Sequence, residues 1–228
     1  ELEADRMQGL ALDRNEFQTE REVVKEERRL RNEDDPQGAL VETLYAQAFL
    51  SHPYHWPVIG WFTDLDAMTL EDLQRHYDTY YSPNNATLIV VGDIKAEALL
   101  PTIKNLFEPI PKGPSPKNTA TAEPEQRGER RFLLKRDAQV PFVMMGFRVP
   151  NYSSDDSYAL NLLETILSHG KSSRLYQSLV YDQKNSLAVG AEYSLMQSDP
   201  GLFYFYSLVS PDAKVEAVEE ALEREITR

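Results

Sequence analysis

The sequence predicts an α+β fold, and two observations carry that reading. Apolar residues recur at helical spacing in some stretches and form strand-sized runs in others, without the strict alternation that βαβ units require. A proline-rich stretch, residues 109–128, divides the chain almost in half, with both kinds of pattern on either side. It holds Pro109, Pro111, Pro114, Pro116 and Pro124 among Lys, Ser, Thr and Glu, and reads as a linker.

In chain order, residues 1–12 and 15–34 read as helices, the second densely charged. Asp34-Asp35-Pro36 ends the second, because proline disfavours helix at the residue before it. Residues 38–50 resume a helical pattern through Leu40, Leu44 and Ala48, and Ser51-His52-Pro53-Tyr54-His55-Trp56-Pro57 forms a rigid aromatic loop. Thr69 followed by Glu71-Asp72 starts another helix. A turn at Ser82-Pro83-Asn84-Asn85 leads into an apolar run, Ala86 to Val91, expected to be a buried strand. Residues 96–107 are helical. Beyond the linker, residues 131–136 and 141–149 read as strands, 155–168 and 172–183 as helices. Residues 186–196 and 202–209 read as an antiparallel pair, and a last helix starts near Pro211-Asp212.

Composition narrows the function. With 24 Lys+Arg against 37 Asp+Glu the formal net charge is -13. That balance argues against nucleic-acid binding, which needs a basic face. No apolar run approaches the ~18 residues of a membrane span. Cysteine is absent, which removes disulfides, thiolate metal sites and Cys nucleophiles. Both ends lie inside amphipathic patterns, Leu2-Arg6-Met7-Leu10 and Val215-Val218-Leu222-Ile226, so the chain reads as a piece of a longer polypeptide.

The most informative stretch is residues 19–29. On a helix, Glu20 and Glu27 share a stripe with Phe17, Val23, Val24 and Leu30, which would face the core. Two inward carboxylates need partners or a metal. The alternative is a solvated charged face with Glu27 paired to Arg31. His52 and His55 form an H-x-x-H, but Pro53 and Pro57 make it a packed aromatic loop rather than a helical zinc pair. His76 lies on an expected core-facing stripe, and His169 ends a helix where its charge suits the dipole. Gly170-Lys171-Ser172-Ser173 lacks the earlier glycine and preceding strand of a phosphate-binding loop.

Several blocks together resemble the insulinase/pitrilysin-like zinc metallopeptidases, the inverzincin group that includes the mitochondrial processing peptidases, in a bacterial-type member. They are Glu1-Leu2-Glu3-Ala4-Asp5-Arg6-Met7, Glu20-Arg21-Glu22-Val23-Val24-Lys25-Glu26-Glu27, His52-Pro53-Tyr54, Tyr80-Tyr81-Ser82-Pro83-Asn84-Asn85-Ala86 and Val90-Val91-Gly92-Asp93. Ser172-Ser173-Arg174-Leu175-Tyr176 follows in the second half. The resemblance implies two half-units, each a mainly antiparallel sheet with helices on one face. Residues 1–108 would be the C-terminal part of the first, zinc-binding half, and 129–228 most of the second. It further implies Zn2+, endopeptidase activity on peptides or unfolded polypeptides enclosed between the halves, and a possible second subunit of the same family. Glu27 would be the third metal ligand and Glu20 a supporting carboxylate one layer out. The family's H-x-x-E-H, which carries two ligands and the general base, occurs nowhere in residues 1–228, so no catalytic residue is assigned and the isolated chain is expected to be inactive. Its substrate-holding Arg and Tyr fall on Val180 and Val189. A non-catalytic scaffold or partner subunit is the alternative.

Overall fold

The computed structural model describes residues 1–116 and 121–228; residues 117–120 of the expected linker lie outside the described residues. In chain order the elements are α1 (Leu2–Arg6), α2 (Arg14–Arg28) running into a π-helical turn (Arg29–Glu33), α3 (Pro36–Ala48), α4 (Phe62–Ala67), α5 (Leu70–Tyr80) and α6 (Ala96–Phe107). Then come β1 (Phe142–Val149), α7 (Asp156–Ser168), a π-helix (Tyr176–Asp182), β2 (Ser186–Tyr193), β3 (Gly201–Val209) and α8 (Val215–Thr227). They divide into two packing units: Glu1–Arg28 with Ile59–Ala120, and Arg29–Val58 with Thr121–Arg228. This division differs from the one drawn in the sequence at 109–128, because residues 29–58 pack with the later strands.

The first unit is helical among the described residues. Asp13 opens α2: its Oδ1 accepts from Asn15 N–H at 2.7 Å and Glu16 N–H at 3.0 Å. Thr69 caps α5 reciprocally, accepting from Asp72 N–H at 3.1 Å while Asp72 accepts from Thr69 N–H at 3.0 Å. The phenol of buried Tyr77 donates to the Arg6 carbonyl at 2.6 Å and ties α5 to the end of α1. The buried strand expected at Ala86–Val91 does not form. The run carries no ladder, and Ile89 and Val91 are 79% and 91% exposed. A strand needs a neighbour to take its N–H and C=O groups, and no other strand lies in this unit among the described residues.

The second unit is built on a three-stranded antiparallel sheet in the order β1-β3-β2. Alternation sends Val143, Phe203, Phe205, Val209 and Ala191 to one face, where Leu167 of α7, Leu175 and Leu179 of the π-helical region and Val218 and Leu222 of α8 close a core. The opposite face carries Met144, Gly146, Leu202, Tyr204 and Tyr206. One end of it is covered by α3, whose Leu44 packs with Phe49 and Leu202. Helices therefore lie on both faces, not one. Asp35 caps α3 by accepting from Gln37 N–H at 3.0 Å, with Pro36 in the first turn, two residues before the start read from the sequence pattern. Residues 131–136, expected as a strand, have no ladder partner among the described residues. Side chains hold them instead: Arg131 pairs with Glu219, Arg136 donates to the Glu33 carbonyl at 3.0 Å, and Phe132 packs on the Leu44–Phe49–Leu202 cluster.

Candidate functional site

The acidic helix α2 presents its residues differently from the periodicity argument. Its inward stripe is Phe17, Arg21, Val24 and Arg28, about 100° round the helix from Glu20 and Glu27. Arg28 is only 2% exposed. Its Nη1 donates to the Gly60 carbonyl at 2.7 Å, and its guanidinium lies 5.5 Å from the Trp61 ring centroid and 5.6 Å from that of Phe62. Arg21 donates to the Met68 carbonyl at 3.1 Å and sits over Phe17. Lys25 pairs with Asp66 at 2.8 Å, and Asp66, with Glu22, holds its ammonium above the ordinary value. Cations with apolar stems thus take the inside of this helix.

Phe17 and Val24 of the expected stripe do pack inward, but Glu20 is exposed, Glu27 half-buried, and Val23 and Leu30 are 53% and 64% exposed, so the expected inward face is corrected in part. The signal that could have found the true inside was present. Phe17, Arg21, Val24 and Arg28 repeat at i, i+4, i+7 and i+11, but a charge-averse reading of the helix passes over arginine as a buried residue.

The histidines do not join this face. His52 Nδ1 accepts from Tyr54 N–H at 3.2 Å and its Nε2 lies 3.5 Å from Asp199, with the ring 4.4 Å from that of Tyr54. His55 packs against Trp56 at 4.8 Å. The loop is the packed aromatic turn that its prolines imply. His76, expected on the core face of α5, is exposed, and its neighbour Tyr77 is buried instead. His169 is the C-cap of α7. Among the described residues no three His, Asp or Glu side chains come together as a metal site. The residues present therefore do not by themselves fit a zinc ion; the Glu20–Glu27 face could supply carboxylates to one but not enclose it.

Sequence reading missed a second polar centre. The Glu123 carboxylate accepts from three successive backbone groups, Leu50 N–H at 2.7 Å, Ser51 N–H at 2.9 Å and His52 N–H at 2.8 Å, with Arg148 at 3.5 Å. Burial alone would raise its pKa, but these donors and the Arg148 charge outweigh it and hold the carboxyl below its ordinary range. In the later half, Arg174 of the Ser172–Tyr176 block donates to the Glu225 carbonyl at 2.6 Å and locks the start of the π-helix to α8, while Ser173 and Leu175 are buried. That block is architectural in this chain. Val180 and Val189 are both half-buried, and Val189 packs against the core beneath the sheet.

Comparison with known proteins fits these features into a family. A family model described as the peptidase M16 inactive domain matches residues 67–228. The chain belongs to the M16 peptidases. The family resemblance drawn from the sequence blocks is borne out. Zinc protease PqqE of Helicobacter pylori is 34% identical over 226 residues, covering 97% of this chain and 50% of that protein. An uncharacterized zinc protease of Mycobacterium tuberculosis is 29% identical over 87% of this chain and 45% of its own length. The crystal structure of a protease from Helicobacter pylori superposes with a TM-score of 0.90 at 32% identity, over 98% of this chain and 54% of that one. At 16% identity, a peptidase M16 inactive domain from Pseudomonas fluorescens shares the fold with a TM-score of 0.80, over 99% of this chain and 55% of that one. The chain spans about half the length of the relatives it matches. No helix among the described residues is long and apolar enough to cross a membrane.

Proposed function

We propose that this M16 chain is part of a zinc-dependent endopeptidase that hydrolyses peptides or unfolded polypeptides enclosed between two half-domains. The observation that carries the reading is the likeness over nearly the whole chain to proteins named zinc proteases. On this reading residues 1–108 belong to the zinc-binding half, 109–128 join the halves, and 129–228 belong to the second. Glu27 contributes one carboxylate ligand, and Glu20, two turns earlier, orients it. The remaining ligands and the general base lie outside residues 1–228, so this chain alone is inactive and no hydrolytic step is assigned to it.

The test is zinc content and peptide hydrolysis in the full-length protein, with three variants side by side. Glu27→Gln removes an anionic ligand and abolishes both. Glu20→Gln lowers metal affinity or activity by roughly 10–100-fold, the usual scale for a group that orients a ligand. Glu26→Gln, about 100° away on the helix, changes little. Retention of zinc and activity by all three would remove the metal-site reading of α2.

A second reading has its own support. The matched family model is described as an inactive domain, and the resemblance puts the family's substrate-holding Arg and Tyr on Val180 and Val189. A non-catalytic partner subunit of a heteromeric peptidase would have both features. An intact H-x-x-E-H in the full-length protein supports the enzyme; a degraded one supports the partner subunit.

A further inference from the structure

The loop that follows α3, within the second unit, has the shape of an anion site. Phe49 closes the helix, its N–H donating to the Tyr45 carbonyl at 3.2 Å. The next three backbone N–H groups, of Leu50, Ser51 and His52, then converge on one carboxylate. Successive N–H groups turned to the same side form a concavity that attracts negative charge. Arg148, next to the end of β1, adds its guanidinium at 3.5 Å.

Other contacts give this loop its form. His52 Nδ1 accepts from Tyr54 N–H at 3.2 Å, and His55 N–H donates to the His52 carbonyl at 3.1 Å. The Tyr54 phenol accepts from Asp199 N–H at 3.1 Å, and buried Phe49 packs with Leu44 and Leu202. Arg148 stands opposite Leu202 in the β1–β3 register. None of these contacts uses Glu123, so the donors are positioned without it, and donors held in place bind at a small ordering cost.

The group that fills the concavity is supported in the opposite way. Residues 121–128 carry neither helix nor strand. Beside Glu123, the Ala122 carbonyl accepts from Ser51 Oγ at 3.1 Å and the Pro124 carbonyl from Arg148 Nη1 at 2.9 Å. The stretch is thus strapped to the unit by contacts with the donor loop and with Arg148, the same groups that make the site.

The donors also select a shape. They fall in two pairs, Leu50 N–H and the Arg148 guanidinium at Oε1, and Ser51 and His52 N–H at Oε2. A planar carboxylate, with two oxygens and about four lone-pair sites, matches these four groups one for one. A tetrahedral phosphate brings further oxygens for which these four groups leave no donor, and chloride offers one centre in place of two.

We infer that Leu50, Ser51, His52 and Arg148 form a carboxylate-binding site in its own right, and that Glu123 is its tethered ligand, replaceable by a free carboxylate.

The test uses the full chain with formate, the smallest carboxylate, and with chloride and inorganic phosphate at matched ionic strength and pH 7. Glu123→Ala empties the concavity and leaves its donors. Formate at tenfold its dissociation constant should raise the thermal midpoint of Glu123→Ala by about 3–6 °C more than that of the unsubstituted chain, the scale on which a bound ligand shifts a chain of this size. Chloride and phosphate should do less. Carbon-13 formate should show line broadening with Glu123→Ala and not with the unsubstituted chain, a readout that needs no unfolding. Glu123→Gln, whose amide still fills the space, should bind no formate. Adding Arg148→Met to Glu123→Ala should weaken formate binding several-fold. If Glu123→Ala folds poorly in chloride, refolding in formate should restore the circular dichroism of the unsubstituted chain. Equal effects of formate on the unsubstituted chain and Glu123→Ala would overturn the inference. So would chloride or phosphate acting as strongly as formate, formate binding undiminished by Arg148→Met, or a poorly folded Glu123→Ala that formate does not restore.

Discussion

Three successive backbone N–H groups converging on one carboxylate, as at Glu123, make a residue worth more than its place in a proline-rich stretch announces. The donors at Leu50, Ser51 and His52 follow the end of α3 and would otherwise be left over. Its side chain is largely buried, at 11% exposure, with Arg148 beside it. Because its folded pKa is lowered, the stability it adds is fully present above the ordinary carboxylate range, about pH 4, and is lost as pH falls through the folded value. Glu123→Gln should therefore cost about 1–3 kcal/mol at pH 7, the scale for leaving hydrogen-bonding groups unsatisfied. It should cost progressively less below pH 4. Urea unfolding of both proteins at pH 7 and in the acid range checks this; an equal difference at every pH would mean that the carboxylate charge is not the stabilising element. Nothing local marked this residue, since its partners are some seventy positions away. Glu27, by contrast, stood out because its spacing from Glu20 is a property of one helix.

At the scale of elements, the helices were legible and their faces only partly so. Period and caps fix where a helix runs: Thr69 with Asp72 starts α5 where the sequence places it, while Asp35 with Pro36, read in the sequence only as a break, also starts α3. Which side packs depends on what waits across the gap. In α2 that is Gly60, Trp61 and Phe62, which satisfy an arginine better than they would a glutamate. Gly38 shows the same dependence. A Cβ on this α3 residue would stand 1.9 Å from the Arg31 carbonyl oxygen, a backbone atom of the π-helical turn that cannot rotate away. On an open helix surface Gly→Ala gains about 1 kcal/mol. Here Gly38→Ala should destabilise by about 1–3 kcal/mol, as forced repacking does, and lower the midpoint of thermal unfolding. A rise in that midpoint would mean that α3 can slide off the turn at little cost.

At the scale of the whole molecule, strands were legible where both members of a pair lie in the described chain. β1, β2 and β3 formed close to their expected bounds, each with a ladder partner to satisfy its backbone. Residues 86–91 have equal apolar content but no ladder, so the same kind of sequence stays extended and open. The consequence is a liability: Leu88, Ile89, Val90 and Val91 are all exposed, in a run with no internal charge or proline. Such a segment is a template for pairing with another chain. Placing a charge there should therefore act on association and not on folding. Ile89→Lys with Val91→Lys, at the two most exposed positions, should change unfolding free energy by no more than about 0.5 kcal/mol, the usual bound for surface substitutions. The same pair should lower concentration-dependent light scattering several-fold. The scattering series run beside urea unfolding separates the two effects. A large loss of stability would mean that the run is packed in solution, and unchanged scattering would mean that another surface drives association.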